Sequence, residues 1–448
     1  MKLPKIYISG NPTYTKLAED VDFFDLFKKV EEKFDTCFIF ESLGEEGKFS
    51  RYSILGFDPI HIISGRGSLL TFDGKSYKVR NPYQALRDIL PKKTLGREYA
   101  GGLVGYLSYE ALAYFEPSVK VKVHKDFDPF LFGVYTDGVI ADKLTNELFY
   151  FSYGDDRSEV IKRMLEGKTR ELSCKATHVR DRLSREKHKH IVGKVKELIR
   201  AGNIFQCEVG FKSEYTLGGD TLAVYERLRE VNPSPFMYYL KFDERHIIGA
   251  SPELLFSLRE GEMTTRPLAG TIRRGKDGRE DQQLARQLVN DPKERAEHTM
   301  LVDLHRNDIG RVAKFGSVRV KDLMSVKKFS HVQHISSEIT GVLRRGEDMF
   351  SALAANFPAG TVSGTPKLEA IKIIDRNEKE ARGPYGGGIG HFGFNGDCTF
   401  ALALRSVFVS GTKAYAQTSG GIVYDSEPEK EYEEIRNKLA AMEKVLDQ

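Results

Sequence analysis

Two pairs of glutamates, each spaced three residues apart, are the positions in this sequence best suited to binding a metal. Glu294 and Glu297 lie in DPKERAEHTMLVDLHRND, and Glu431 and Glu434 lie in PEKEYEEIRNKL. Residues three apart share one face of a helix, so two such helices could meet around one cation. Mg²⁺ suits them, because it takes oxygen ligands in octahedral geometry and keeps waters or substrate oxygens. Such pairs are also common on solvated helices, so neither pair alone establishes a site.

A second chemical feature is Arg405, in the segment CTFALALRSVFV (398–409). We interpret the segment as one strand, in which alternate residues face opposite sides. Arg405 would then share a face with Ala401 and Ala403, opposite the bulky side chains. An arginine on a face cleared by alanines can bind a carboxylate with both of its terminal nitrogens. A structural ion pair with an Asp or Glu is equally compatible with the pattern.

Two further segments complete the chemistry-bearing part of the chain. IFQCEVGFKSEY (204–215) has strand character, with Gln206 and Glu208 on one face. FPAGTVSGTPKLEAIKIID (357–375) is a glycine turn that leads into a helix. There we predict Thr365 as N-cap and Pro366 as the first helical residue. A helix begun in this way offers free amides to an anion.

The elements around these positions predict an α+β fold of many antiparallel strands with helices packed outside. The 448 residues are 40% hydrophobic and 29% charged, and the net charge of +4 gives no argument for nucleic acid. The four cysteines are scattered, which is typical of a reducing compartment. We expect a cytoplasmic protein, because signal-peptide and membrane-spanning patterns are missing. A polar stretch near 175 divides an N-terminal region (1–175) from a C-terminal one (176–448), which we expect to intermix in space.

The motifs, taken in order, resemble the chorismate-utilising enzymes and, within them, the anthranilate synthase component I branch. The resemblance covers nearly the whole chain. It rests on GASPELLF (249–256), TRPLAGTIRRG (265–275), NDPKERAEHTMLVDLHRNDIGRV (290–312), FSHVQHISSEITG (329–341), the glycine turn and helix of 357–375, YGGGIG (385–390), ALALRS (401–406) and GGIVYDSEPEKEYEEIRNK (420–438).

The resemblance implies a fold and a reaction. The fold would be two stacked antiparallel sheets with helices outside and the active site in a cleft. The reaction would be a Mg²⁺-dependent addition of ammonia to chorismate with loss of a ring hydroxyl. Elimination of pyruvate would then leave anthranilate, in the first committed step of tryptophan biosynthesis.

The resemblance also implies a role for each site residue. The metal would be held by the four glutamates, directly or through water, and would hold the ring carboxylate of chorismate. The remaining assignments are Glu253 as general acid, His334 beside the ring, Gly270, Thr271 and Thr361 at the ring, and Tyr385, Arg405 and the Gly421 backbone at the pyruvyl carboxylate.

Two positions favour one member of the family. Gln206 stands where isochorismate and salicylate synthases carry the lysine that activates water, so ammonia is the expected nucleophile. Ala269 stands where aminodeoxychorismate synthases carry a lysine that can attack the ring. Anthranilate synthase is therefore favoured. Aminodeoxyisochorismate or aminodeoxychorismate synthase, or a non-catalytic tryptophan-binding regulatory protein, remain alternatives.

Regulation and partners are further expectations from the resemblance. Residues 51–53 and seven further residues match the family's tryptophan inhibitory site. Those seven are Glu41, Ser42, Asn232, Pro233, Ser234, Met237 and Tyr238. No cysteine lies in a glycine-rich nucleophile elbow, so a separate glutamine amidotransferase subunit is expected to supply the ammonia.

The chain departs from the family's usual pattern in two places. CEVGFKSEY (207–215) replaces a more apolar run that bears Ser and Arg, and QTSGGIV (417–423) replaces the commoner QAGAGIV. Glu208 therefore adds a charge near the expected site, which leaves the route of ammonia entry open.

Overall fold

The structure is a computed structural model, and it describes most of the chain. The described residues are 2–8, 10–17, 21–44, 51–91, 94, 99–329 and 332–446.

Strands make up most of the regular structure. In chain order they are β1 (Thr13–Lys16), β2 (Thr36–Glu41), β3 (Tyr52–Phe57), β4 (His61–Arg66), β5 (Leu69–Phe72), β6 (Lys75–Lys78), β7 (Gly102–Leu107), β8 (Phe130–Tyr135), β9 (Asp137–Asp142), β10 (Glu147–Ser152), β11 (Cys174–Asp181), β12 (Gln206–Gly219), β13 (Phe236–Phe242), β14 (Arg245–Ser251), β15 (Leu254–Arg259), β16 (Glu262–Arg266), β17 (Leu268–Arg273), β18 (Arg319–Lys328), β19 (Val332–Val342), β20 (Gly364–Thr365), β21 (Gly388–Gly393), β22 (Cys398–Leu402), β23 (Ser406–Ser410) and β24 (Lys413–Ile422).

The helices lie between these strands. They are α1 (Phe23–Lys33), α2 (Pro82–Ile89), α3 (Leu112–Phe115), α4 (Ser158–Glu166), α5 (Arg185–Arg200), α6 (Leu222–Val231), α7 (Gly278–Asn290), α8 (Pro292–Gly310), α9 (Met349–Asn356), α10 (Lys367–Asn377) and α11 (Pro428–Leu446). Among the residues described, no helix is both long and apolar enough to cross a membrane.

The strands form two antiparallel sheets. The first sheet has the order β1-β10-β9-β3-β2-β13-β14-β23-β24-β12-β11, with β20 on β12. The second has the order β17-β19-β16-β15-β22-β21-β7-β8-β4-β5-β6, with β18 on β19. Both sheets take strands from either side of residue 175, for example where β2 pairs with β13 and β7 with β21.

One apolar core lies between the sheets and another lies between the first sheet and its helices. Alternation along β2 directs Phe38 into the first core and Cys37 and Ile39 into the second. Phe38 meets Tyr135 of the second sheet edge to face, with ring centroids 4.8 Å apart. Two stacked antiparallel sheets with helices outside are therefore the observed fold, which confirms the predicted fold class.

The prediction of one strand over 398–409 is wrong. Residues 398–402 form β22 in the second sheet and residues 406–410 form β23 in the first, so the chain crosses between sheets at 403–405. Arg405 has a φ of +48° at this crossing, a left-handed conformation that ends the strand geometry. The amide of Leu404 donates to the carbonyl of Leu402, which tightens the turn. Arg405 therefore lies at a crossover and not on an alternating strand face.

One smaller expectation also needs correction. Helix α10 begins one residue later than predicted, because Pro366 occupies the cap position and no side chain caps the helix there. The Thr365–Pro366 peptide bond is cis.

Candidate active site

The first glutamate pair lies on the first two turns of α8. The Asp291 side chain caps this helix by accepting from the amides of Lys293 and Glu294, at 2.9 and 3.1 Å. Gly270 of β17 lies directly under the Glu294 carboxylate. A Cβ atom at Gly270 would stand 2.7 Å from Glu294 Oε2, and the φ of this glycine is +63°. Glycine is therefore required there by both space and backbone conformation.

The second glutamate pair lies on α11, which packs on β24 of the first sheet. Glu431 is buried, and its Oε2 atom has no hydrogen-bond partner in the described structure. That atom lies 3.2 Å from where a Cβ of Gly420 would be. Glu434 is ion-paired with Lys438, with Nζ and Oε1 2.7 Å apart.

The two pairs interact across the gap between the sheets. Burial raises the pKa of Glu297 to about 7, and the nearby carboxylates of Glu208 and Glu294 raise it further. Burial also raises the pKa of Glu294, with Glu434 of the other helix contributing. Carboxylates held close together with too little compensating charge fit a hard divalent cation.

The glutamates fit an open magnesium site and not a site in which the protein supplies every ligand. Within the described ranges, no three Asp, Glu, His or Cys residues lie close enough to share one metal ion. Mg²⁺ usually keeps several waters and binds through one or two carboxylates plus substrate oxygens. The chain's own donors therefore fit a metal whose coordination is completed by water and by a substrate carboxylate.

Glu253 is a buried carboxyl group between the sheets. It follows β14 and is only 4% exposed. Thr361 Oγ1 donates to its Oε1 at 2.8 Å, and the amide of Leu402 donates to its backbone carbonyl at 3.0 Å. Burial raises the pKa of Glu253 to about 8, against the hydrogen bonds that lower it. At neutral pH this carboxyl group holds a proton that it can donate, as a general acid requires.

His334 is a neutral imidazole with one free nitrogen. Its Nδ1 atom lies 2.7 Å from the carbonyl oxygen of Gly270 and 3.1 Å from Thr271 Oγ1. A carbonyl can only accept, so Nδ1 carries the proton and Nε2 is the acceptor. Nε2 is buried without a partner in the described structure. Burial first, and the positive charge of Arg405 second, lower the pKa of His334 to about 4. His334 therefore offers an uncharged hydrogen-bond acceptor.

The Arg405 guanidinium is desolvated without an ion-pair partner among the described residues. Only its backbone carbonyl is engaged, by the amide of Ala250 at 3.2 Å. Desolvation by burial lowers the pKa of Arg405, and no neighbouring carboxylate opposes the effect. Among the described residues, the structural ion pair that the sequence left open as an alternative is not formed. An unpaired guanidinium in such surroundings is suited to binding an anionic ligand.

Tyr385 belongs to a hydrogen-bonded group that also contains Ser419 and Glu208. Ser419 Oγ lies 2.9 Å from the Tyr385 hydroxyl and donates to Glu208 Oε2 at 2.7 Å. Lys438 Nζ donates to the Ser419 carbonyl at 3.0 Å. Burial raises the pKa of Tyr385, so its hydroxyl stays protonated. The group joins β24, β12 and the segment before β21.

Gln206 and Gly421 adjoin this group. Gln206 Nε2 donates to Glu297 Oε1 at 3.3 Å. A Cβ at Gly421 would lie 2.7 Å from both Gln206 Nε2 and Glu208 Oε1, so a side chain at 421 has no room. The structure thus brings the residues assigned from the sequence into one region. Lys438 and Ser419 were missed, although Lys438 follows Glu431 by seven residues and so shares its helix face.

Four of the seven residues assigned to a tryptophan site line one cavity. Glu41, Ser42, Met237 and Tyr238 contribute to its walls, together with Phe40, Tyr52 and Phe236. Asn232, Pro233 and Ser234 precede the lining segment and do not line the cavity. Glu41 is already ion-paired with Arg229 at 2.9 Å, whereas Ser42 Oγ is buried without a partner in the described structure.

Comparison with known proteins identifies the class. Residues 35–444 match the chorismate binding enzyme family. The chain belongs to this family.

Within the family, two of the curated proteins that this chain resembles are named anthranilate synthase component 1. The chain is 52% identical to anthranilate synthase component 1 of Leptospira biflexa, over 99% of this chain and 98% of that protein. It is 41% identical to the same component of Methanothermobacter thermautotrophicus, over 98% and 94%. The resemblance stated from the sequence is thereby confirmed.

Solved structures agree. Anthranilate synthase component I from Streptococcus pneumoniae superposes with a TM-score of 0.78 at 32% identity, covering 90% of this chain and 94% of that one. The menaquinone-specific isochorismate synthase of Escherichia coli has a TM-score of 0.74 at 18% identity, covering 98% and 95%, which shows the shared fold alone.

The raised pKa of Glu253 predicts a pH-dependent stability difference between the wild type and Glu253→Gln. Between the ordinary value of 4.5 and about 8, the folded state holds a proton that the unfolded state has released. The stability that this proton contributes is complete below the unfolded pKa and is lost as the pH rises through about 8. The loss is at most about 1.4 kcal/mol per unit of pKa shift.

Glutamine does not titrate, so the variant should gain stability relative to the wild type as the pH rises through this window. Denaturant unfolding of both proteins over the same pH series measures the difference. Curves that stay parallel from acid to alkaline pH would contradict the protonation assigned to Glu253.

Proposed function

We propose that this chain is the large subunit of an anthranilate synthase, which converts chorismate and ammonia into anthranilate and pyruvate. The observation that carries the proposal is the arrangement of Arg405, His334 and Glu253. An unpaired guanidinium, a neutral imidazole acceptor and a protonated carboxyl group surround one region between the sheets. The full-length similarity to anthranilate synthase component 1 proteins supports the same reaction.

Four groups are suited to positioning the substrate. Arg405 binds the pyruvyl carboxylate with its planar guanidinium, and the Tyr385 hydroxyl is suited to donate to the same anion. Lys438 supplies a further positive charge from α11, beside the glutamates. His334 accepts a hydrogen bond through Nε2 and, being neutral, adds no positive charge beside the guanidinium. Together these groups fix which face of the ring meets the nucleophile.

Glu253 is suited to the first bond cleavage. Its carboxyl proton passes to the departing ring hydroxyl, which leaves as water while the nitrogen adds. Burial keeps the proton in place at neutral pH, and the hydrogen bond from Thr361 orients the carboxyl group. General acid catalysis of this kind contributes about 10²- to 10⁴-fold to a rate.

Magnesium belongs to the proposal through Glu294, Glu297, Glu431 and Glu434. When bound, Mg²⁺ neutralises the ring carboxylate and draws charge toward it as a Lewis acid. The chain's part is to present carboxylates from α8 and α11 at the two sides of the substrate. The unpartnered Oε2 of Glu431 and the raised pKa of Glu297 support this assignment.

Ammonia is the proposed nucleophile, since Gln206 is not a base. Its amide cannot deprotonate water, and its Nε2 atom is directed to Glu297. We propose that a glutamine amidotransferase subunit supplies the ammonia, in line with the name component 1 carried by the relatives.

The direct test mixes the purified chain with chorismate, Mg²⁺ and ammonium at alkaline pH, where free ammonia is available. A magnesium-dependent rise in anthranilate fluorescence is expected. Product identification separates the alternatives: an aminated intermediate without pyruvate release would indicate an aminodeoxyisochorismate synthase. Unchanged chorismate, even with a cognate amidotransferase present, would refute the proposal and favour a binding protein.

Inhibition by tryptophan is a second part of the proposal. The cavity beside β2 and β13 has aromatic and methionine walls suited to an indole ring. The Tyr238 hydroxyl lies 2.7 Å from Ser406 Oγ and 3.3 Å from the Leu404 carbonyl, on either side of Arg405. Occupation of the cavity can therefore shift the crossover that carries Arg405.

Ser42→Arg tests this cavity. The larger side chain fills it while leaving the active-site residues untouched, so anthranilate formation should persist with tryptophan inhibition lost. Inhibition curves of the wild type and the variant measure the effect. An active variant inhibited at the parental tryptophan concentration would mean that tryptophan binds elsewhere or not at all.

A further inference from the structure

The two segments that depart from the family's usual sequence are joined by a hydrogen bond. Ser419 Oγ, in QTSGGIV, donates to Glu208 Oε2, in CEVGFKSEY, at 2.7 Å. Glu208 is buried, with 8% of its surface exposed. No other hydrogen bond and no ion pair engages this carboxylate among the residues that the structure describes.

The two nearest cations are both committed to other acceptors. The Arg382 guanidinium binds the Glu378 carboxylate and reaches only the backbone carbonyl of Glu208, at 2.9 Å. Lys438 binds Glu434 and the Ser419 carbonyl. A buried carboxylate with one hydrogen bond and no counter-ion is a costly arrangement for a purely structural residue. It requires a cationic or hydrogen-bonding ligand.

The side chain beside Glu208 indicates what that ligand is. Glu208 Oε1 and Gln206 Nε2 each lie 2.7 Å from where a Cβ of Gly421 would be, so the carboxylate and the amide are neighbours. Gln206 donates through Nε2 to Glu297, and its Oε1 atom is buried without a partner in the described part of the chain. A charged acceptor and an unpartnered amide oxygen therefore belong to two neighbouring side chains. An ammonium ion, with one positive charge and four hydrogen-bond donors, matches this set.

We propose that Glu208 and Gln206 bind the incoming ammonium ion and that the Glu208 carboxylate takes a proton from it. This inference rests on the proposed anthranilate synthase function and adds a catalytic residue to it. The N–H bond breaks to give ammonia and a protonated Glu208. The nitrogen lone pair then forms the C–N bond to the ring as the ring C–O bond breaks. Glu253 supplies the proton with which the hydroxyl leaves as water.

The charges balance over this step. An ammonium ion, ionised Glu208 and protonated Glu253 become a ring-bound –NH₃⁺ group, protonated Glu208 and ionised Glu253. Return of the proton from Glu208 to Glu253, through water, resets the site. Burial raises the pKa of Glu208 to about 7, moderated by Lys438 and Ser419, and that of Glu253 to about 8. The two carboxyl groups are thus close enough in pKa for the return transfer.

A structural role for Glu208 predicts different kinetics. If Glu208 only held Ser419 and thereby Tyr385, its loss would weaken the binding of chorismate. If Glu208 binds ammonium, its loss raises KM for ammonium. The increase is largest at neutral pH, where almost all ammonia is protonated. At alkaline pH free ammonia is abundant and the defect should shrink.

The experiment measures KM for ammonium and KM for chorismate, at neutral and at alkaline pH, for Glu208→Gln and the wild type. Loss of a charged hydrogen-bond acceptor should raise KM for ammonium about 10- to 100-fold at neutral pH. The increase should be smaller at alkaline pH, and KM for chorismate should stay unchanged. Ser419→Ala, which removes the one donor to Glu208, should shift the same parameter by a smaller factor.

Glu214→Gln is the matched control, since Glu214 lies on the same strand but is paired with Arg180 and Arg182 away from the site. It should behave as the wild type. An unchanged KM for ammonium in Glu208→Gln, an equal defect at both pH values, or an effect mainly on chorismate would overturn the inference and leave the proposed function standing. A wild type that leaves chorismate unchanged, even with a cognate amidotransferase present, would refute the proposed function itself.

Discussion

Arg405→Ala should lower kcat/KM for chorismate roughly 30- to 5,000-fold, which corresponds to a loss of about 2 to 5 kcal/mol in transition-state binding. The guanidinium is desolvated and lacks an ion-pair partner within the described ranges, so its role is expected in binding a ligand and not in the fold. Removing it leaves the substrate carboxylate desolvated and unpaired. Steady-state kinetics over a range of chorismate concentrations measures the loss.

Two further substitutions separate the guanidinium from the backbone at this position. Arg405→Lys keeps the charge but loses the planar fork, so it should recover only part of the activity. Arg405→Gly loses the side chain but suits the φ of +48°. It should be more stable than Arg405→Ala by about 1 kcal/mol and equally inactive. An alanine variant with wild-type kinetics would remove Arg405 from the substrate site.

The sequence predicted the fold class, since motif order and strand alternation are local properties of the chain, and it supplied most of the candidate site residues described above. The sequence did not predict the crossover at 403–405. Alternation continues smoothly through ALALRS, and nothing in that pattern marks the left-handed conformation of Arg405. The break arises because Leu402 and Ser406 pair with strands of different sheets, which is a tertiary constraint.

The sequence likewise did not predict the contacts between distant segments. Glu208 and Ser419 were each noticed as departures, but only the antiparallel register of β12 with β24 makes them partners. Lys438 resembles an ordinary solvated lysine four residues after Glu434. Its importance appears only where α11 meets the Ser419 carbonyl and the buried carboxylates.

The other large effect is expected at the glutamate pairs, where Glu297→Gln should reduce magnesium-dependent anthranilate formation by about 100-fold or more. Glu297 is the member of the first pair whose pKa is raised to about 7 by burial and by Glu208 and Glu294. A neutral amide there removes like-charge repulsion, so folding should be unaffected or slightly favoured at alkaline pH. Loss of activity would then come from the metal site and not from unfolding.

A measurement independent of activity uses the melting temperature. A ligand that binds only the folded state stabilises it in proportion to RT ln(1 + [L]/Kd), so Mg²⁺ should raise the melting temperature of the wild type more than that of Glu297→Gln. Asp303→Asn is the control on the same helix, because Asp303 is exposed and paired with Arg306. An equal magnesium response in Glu297→Gln and the control would place the metal elsewhere.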